Sequence, residues 1–214
     1  MVLKWFEKTN IEIENIVFLS RHRAASGRPS LTVHPIGNWG KADYGGLPGE
    51  VSGASPVWMT GLLLKIYENR LPGYDVCFEA THHGPLIETP TMFLEIGSSE
   101  NQWGLREPAE ALVKSLLELE PAKGIKVVGI GGGHYTPRFT EATLSHGVCL
   151  GHIVANYGVP SLTPELLKNA IKASGADGIY FHKKGMKKPD YRKWKEYAEK
   201  EGIKIFSQAD YKKR

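Results

Sequence analysis

Cysteine is scarce in this chain of 214 residues: Cys77 and Cys149 are the only two, set in the apolar surroundings DVCFEA and GVCLG. They read as buried free thiols and not as a disulfide framework, so nothing calls for an oxidising compartment. No stretch approaches the roughly 18 to 20 apolar residues of a membrane span, which leaves no membrane partner to expect. The first ten residues are interrupted by Lys4, Glu7 and Lys8 and lack the apolar segment of a secretory signal. Internal repeats, low-complexity tracts and long linkers are absent as well. Nor does one sign of charge dominate, since 27 Lys and Arg against 23 Asp and Glu leave +4, with 41% hydrophobic residues. That balance suits a folded, cytoplasmic, single domain over residues 1–214, as a monomer or homodimer.

The charge present is unevenly placed. From His182 to Arg214 twelve Lys and Arg face five Asp and Glu, a balance of +7, while the rest of the chain sums to −3. A basic segment on a near-neutral body suits a polyanion, and equally a solvated helix face. Apolar runs alternate with amphipathic stretches, the pattern of an α/β domain. Strands are expected over 16–19, 74–80, 91–96, 126–130, 148–153, 178–181 and 203–206, and helices over 56–68, 108–119, 164–173 and 189–200. Between them lie four connections rich in Gly, His, Pro and Asn, over 20–44, 81–90, 131–140 and 146–152. Loops held by a rigid sheet are where binding and catalytic groups concentrate.

The sharpest cluster is Glu79-Ala80-Thr81-His82-His83-Gly84-Pro85, with Glu95 on the next strand and His134 beyond it. Imidazoles and carboxylates are the usual ligands of a hydrolytic zinc, which needs three of them and an open position for water. Adjacent histidines face one site only where the chain turns, as Gly84-Pro85 permits. The alternative is a pair of loop histidines that bind substrate or backbone. A second cluster, Gly131-Gly132-Gly133-His134-Tyr135-Thr136-Pro137, follows a strand. Successive glycines allow N–H groups to cradle an oxyanion or phosphate, or make a purely structural turn, and His-Tyr-Thr-Pro does not continue as a nucleotide-binding helix. The third holds Arg21-His22 and, further on, His34 and Asn38-Trp39-Gly40-Lys41, a set able to stack on a base and hold a phosphate. His152 ends a strand, where a single histidine is more often structural.

Together these segments resemble one family. Ser20-Arg21-His22, His34 followed by GNWG, EATHHGP, Phe93-Leu94-Glu95-Ile96-Gly97-Ser98-Ser99-Glu100, GIGGGHY and Gly151-His152 look like the archaeal and plant D-aminoacyl-tRNA deacylases, in the same order from about Phe18 onward. The resemblance implies an α/β fold, a single three-layer domain with a mixed sheet of the phosphorylase and peptidyl-tRNA hydrolase kind. It implies hydrolysis of the ester of D-aminoacyl-tRNA, with zinc as cofactor. The expected catalytic residues are His82, His83, His134, Glu79 and Glu95. Metal ligands are expected among His82, His83, His134, Glu95 and His152. Arg21, His22, Asn38, Trp39, Lys41 and Gly131 to Gly133 are expected on the substrate. The resemblance also implies a further strand and helix ahead of Ser20-Arg21-His22, which this chain is expected to lack. Two other readings follow: a tRNA-binding protein inactive through truncation, and a nucleoside phosphorylase-like or metallopeptidase-like enzyme.

Overall fold

A computed structural model describes residues 12–211. Among them eight strands and six α-helices form an α/β fold whose strands divide into two four-stranded sheets. The first contains β1 (Ile16–Arg23), β2 (Ser30–Pro35), β3 (Asp75–Phe78) and β4 (Thr91–Ser98), in the order β1-β4-β2-β3. It is mixed: β1 runs parallel to β4, β4 antiparallel to β2, and β2 parallel to β3. The second is all parallel, with β5 (Lys126–Ile130), β6 (Cys149–Val154), β7 (Gly178–Phe181) and β8 (Ile205–Phe206) in the order β6-β5-β7-β8. The helices are α1 (Pro56–Glu68), α2 (Glu100–Trp103), α3 (Arg106–Leu117), α4 (Pro137–His146), α5 (Pro164–Ala173) and α6 (Lys188–Lys200). None of them is long and apolar enough to cross a membrane.

Local chemistry accounts for the best-defined elements. Pro56 opens α1, and Met59, Leu62, Leu63 and Ile66 repeat at helical spacing on its buried face. Thr163 caps α5 by accepting the N–H of Leu166 at 3.2 Å, a contact worth about 1 kcal/mol. Helix α1 packs between the sheets, and its apolar stripe meets Leu31, Val33, Phe78 and Leu94 of the first and Leu150 and Ile153 of the second. A second cluster lies on the other face of the parallel sheet, where Val128, Ile130, Val154 and Ile179 meet Leu166, Leu167 and Trp194 of α5 and α6.

Two stretches differ from expectation. Residues 30–35 form an inner strand where a loop was expected, because Leu31 and Val33 alternate with Ser30, Thr32 and His34 and all are buried. Helix α4 begins at Pro137, directly after the glycine-rich turn. Its core residues include Thr140 and Thr143 besides Phe139 and Ala142, so its apolar stripe is faint in the sequence.

The alternation in β2 positions the functional groups. Val33 is in register with Phe78 and Leu94, the core row; Thr32 is in register with Cys77 and Glu95, and Glu95 with Ser20. One face of the first sheet is therefore apolar, and the other carries hydroxyls, imidazoles and carboxylates.

Candidate active site

The polar face gathers two buried carboxylates and five histidines. Glu79, fully buried just after β3, accepts a hydrogen bond from His134 Nε2 at 2.9 Å. Its other oxygen lies 3.4 Å from His22 Nδ1. Glu95 on β4 lies 3.6 Å from the same His22 nitrogen and 3.7 Å from His34 Nε2. Beyond Glu79, His82 Nε2 is 3.7 Å from the carboxylate, and the rings of His82 and His34 are 4.1 Å apart. His83 adopts a left-handed backbone (φ 43°), which is how two adjacent histidines both turn inward: their rings lie 4.1 and 5.0 Å from that of His34.

Electrostatics separate these groups into charged and neutral. Burial opposes ionisation of Glu79, but the hydrogen bond from His134 and attraction to His34 and His22 outweigh it and hold its pKa down at about 2. Glu95 is likewise pulled below the usual carboxylate range, burial being outweighed by the imidazoles of His22 and His34 beside it. Burial works against protonation of His22, yet contact with Glu95 and the charge of Glu79 raise its pKa. The opposite holds for His82, which burial and then His34 push down to about 2, and for His83, lowered by the same causes. His82 and His83 are thus neutral at physiological pH, the form that binds metals or accepts protons.

Tautomers follow from the partners. His34, His82 and His83 each direct Nδ1 at a backbone carbonyl, of Pro35, Ala80 and Gly84 at 3.1, 2.8 and 2.6 Å. A carbonyl only accepts, so in its neutral form each of these rings donates from Nδ1 and carries a bare lone pair on Nε2. The three residues bring ligand atoms within 4.8 Å of one another. Histidines that bind a metal through one nitrogen typically donate from the other to such a carbonyl. His34 Nε2 and Glu79 Oε1 are buried with no hydrogen-bond partner, which further marks the donor set as fit for a divalent cation.

His134 is held differently. Its Nε2–H goes to Glu79, so in the neutral ring Nδ1 accepts from the hydroxyl of Tyr157 at 3.1 Å. Tyr157 is 57% exposed, so this relay runs from a buried carboxylate to an aromatic open to solvent. Tyr135 takes the same part at His22, 2.7 Å from its Nε2. Burial and then Glu79 push the Tyr135 phenol up to about 12, so it serves as a hydrogen-bonding group and not as an anion.

A family model for D-aminoacyl-tRNA deacylase matches residues 9–206. The chain belongs to the D-aminoacyl-tRNA deacylase family. It is 34% identical over 208 residues to the D-aminoacyl-tRNA deacylase of Methanococcoides burtonii, covering 96% of this chain and 43% of that relative. With the one of Pyrococcus furiosus it shares 39% identity, over 93% of this chain and 75% of the relative. The chain thus spans less than half of the length of some curated relatives and three quarters of others. The same fold occurs in the crystal structure of a conserved protein of unknown function, with TM-score 0.89, 36% identity, and coverage of 98% of this chain and 76% of that one.

Of the residues expected at the site from sequence, Glu79, Glu95, His82, His83 and His134 come together, and His22 joins them. Others do not. Arg21 follows Ser20 on β1 and so points to the opposite face, over the ring of Trp103 at 4.7 Å. His152 is fully buried with both nitrogens occupied, by Thr81 Oγ1 at 3.1 Å and Ser52 O at 2.9 Å, leaving none for a metal. Trp39 is 5% exposed, packed against Gly158 and the ring of His152, and contributes to the wall of the cavity beside His82 and His83 instead of standing free in solvent. Asn38 is buried too and donates to Gly45 O and Leu47 O. Gly131 and Gly132 spend their N–H groups on Val154 O and Gly185 O, so of the three glycines Gly133 remains for an oxyanion. Lys41 is exposed at the mouth of a cavity beside His82 and His83. His34, Tyr135 and Tyr157 hold central places beyond the roles expected of them; His34 and Tyr135 stood in the quoted motifs, with the alternation Ser-Leu-Thr-Val-His as a further signal for His34, while Tyr157 had none.

His152 is therefore a structural residue. His152→Ala should strip Ser52 O of its imidazole donor, leave Thr81 Oγ1 with only the Ile153 N–H, open a cavity and cost about 3 kcal/mol, lowering Tm by about 6–12 °C. Calorimetry checks this. A wild-type Tm together with lost activity would return His152 to the reactive site.

Proposed function

We propose that this chain hydrolyses the ester joining a D-amino acid to tRNA, in the cytosol. The observation that carries the reading is the Glu79–His134–Tyr157 relay, within a chain of this family. An aminoacyl ester is already activated, so the site must mainly position it, remove a proton from the attacking water and stabilise the oxyanion. Glu79 fixes the tautomer of His134, leaving Nδ1 as the base. Water takes the place of the Tyr157 hydroxyl on that nitrogen, gives up its proton and attacks the carbonyl carbon. His134 then returns the proton to the departing ribose oxygen. The Gly133 N–H donates to the oxyanion. Selection of the D form is steric, because D and L esters differ only in where the side chain projects.

Zinc suits the same face, with His34, His82 and His83 as its holders and Glu79 and Glu95 as neighbouring anions. When bound it supplies Lewis acidity toward water or carbonyl. The decisive assay measures release of D-tyrosine and L-tyrosine from their tRNA esters, with chelator and with added zinc. D should be released much faster than L; equal rates, or none, would remove the proposal.

The basic segment is proposed to track the tRNA backbone. Lys183 and Lys184 flank, with Arg138, a cavity of about 500 Å³. Converting Lys183, Lys184, Lys187 and Lys188 to Gln should raise KM for charged tRNA and flatten its dependence on salt, with kcat hardly changed. An unchanged slope would make these lysines a solvated face.

A further inference from the structure

Beside His82 and His83 opens a cavity of about 350 Å³, at the small end of ligand sites, whose wall includes Lys41, Tyr44 and Tyr157. The loop that carries the first two is firmly seated. Gly84 N donates to Tyr44 O at 3.2 Å, and Asn38 Nδ2 donates to Gly45 O at 2.9 Å. At Gly84 the loop comes so close that a Cβ there would stand 2.2 Å from Gly46 N. Despite this tight backbone, the Tyr44 side chain is 85% exposed, and Tyr157 57%. Aromatic rings left in water over a seated backbone forgo burial and leave a flat apolar face open to a ligand. An exposed lysine stands beside them.

We propose that this cleft holds the single-stranded 3′ end of the substrate RNA, one base stacked on Tyr44 and one backbone phosphate paired with Lys41. The proposal rests on the deacylase reading and extends it to the nucleotide part of the substrate. Stacking on tyrosine accepts any base, which fits an enzyme that reads an end common to all tRNAs. Asp43, on the same rim, offers an acceptor to a ribose hydroxyl or exocyclic amine. Tyr157 joins the cleft to the chemistry, since its ring lines the cavity and its hydroxyl bonds His134.

The test combines fluorescence anisotropy on a short single-stranded RNA ending in CCA with steady-state deacylation of D-tyrosyl-tRNA. Tyr44→Ala should weaken both oligonucleotide affinity and KM by roughly 5- to 100-fold, with kcat at saturation unchanged. Tyr44→Phe, which keeps the ring, should stay within about twofold of wild type on the same scale. Lys41→Gln should reduce the slope of log affinity against log salt by about 0.7, the value for one phosphate contact on a single strand. Tyr67 borders a separate cavity of about 720 Å³ behind Tyr135, so Tyr67→Ala should change nothing. Active enzyme whose RNA affinity and KM ignore Tyr44, or depend on Tyr67 instead, would overturn the cleft assignment and leave the deacylase reading standing. Tyr44-dependent RNA binding without release of D-tyrosine would do the reverse.

Discussion

His134→Ala is expected to lower kcat for D-tyrosyl-tRNA by roughly 10²- to 10⁴-fold, the usual contribution of a positioned general base. The effect should fall on kcat more than on KM, because the base acts as the proton leaves the water and contributes little to ground-state binding. Glu79→Gln should approach the same loss without removing the imidazole. The carboxylate accepts the Nε2–H of His134 at 2.9 Å and so commits Nδ1 to act as base. An amide can instead present its NH₂ and favour the wrong tautomer. Tyr157→Phe removes only the hydroxyl that rests on Nδ1 and should cost far less. Single-turnover rates, with circular dichroism to confirm folding, check the series. Full turnover in both His134→Ala and Glu79→Gln would sink the relay as the source of the base.

The second large effect concerns the metal. His34→Ala should abolish bound zinc in elemental analysis and reduce activity at least tenfold, because it removes one of three convergent imidazoles. With zinc bound as proposed, the metal at about a hundred times its dissociation constant should stabilise the wild-type fold by about 2.7 kcal/mol, a rise in Tm of roughly 5–10 °C. That thermal shift should vanish in His34→Ala and persist in His152→Ala, a readout independent of turnover. If His34→Ala kept its zinc while His134→Ala lost it, the metal would belong to the other nearby set, His22, Glu79 and His134. Zinc-free wild-type protein with full activity would defeat the metal assignment and leave the relay intact.

Legibility in the sequence followed chemistry that acts locally. Helices 56–68 and 164–173 and strands 126–130 and 178–181 have the bounds expected, because proline openings and dense apolar runs mark them without help from the rest of the fold. Strand β2 was hidden because half of its residues are polar yet buried, and they become so only when β3 and β4 flank them. The reactive groups were legible as residue types, since a Glu-x-x-His-His run is conspicuous anywhere. Their roles were not. Whether Arg21 shares a face with His22, whether His152 has a spare nitrogen and which aromatic meets solvent all depend on contacts between residues far apart in sequence. Trp39, the obvious stacking candidate, is buried, while Tyr44, five residues on, is exposed.

The sheet that carries the site couples folding and reactivity through parity. In β2, odd-numbered Leu31 and Val33 anchor the core while even-numbered Thr32 and His34 face the carboxylates. Inserting one residue within Ser30–Pro35 would exchange the two sets downstream, burying imidazole among leucines and turning valine toward Glu95. Inserting two would restore the facing of every later side chain and displace it only along the strand. Paired insertions should therefore leave folded, damaged enzyme where single ones leave no fold at all, so the reading frame of this strand is written in steps of two.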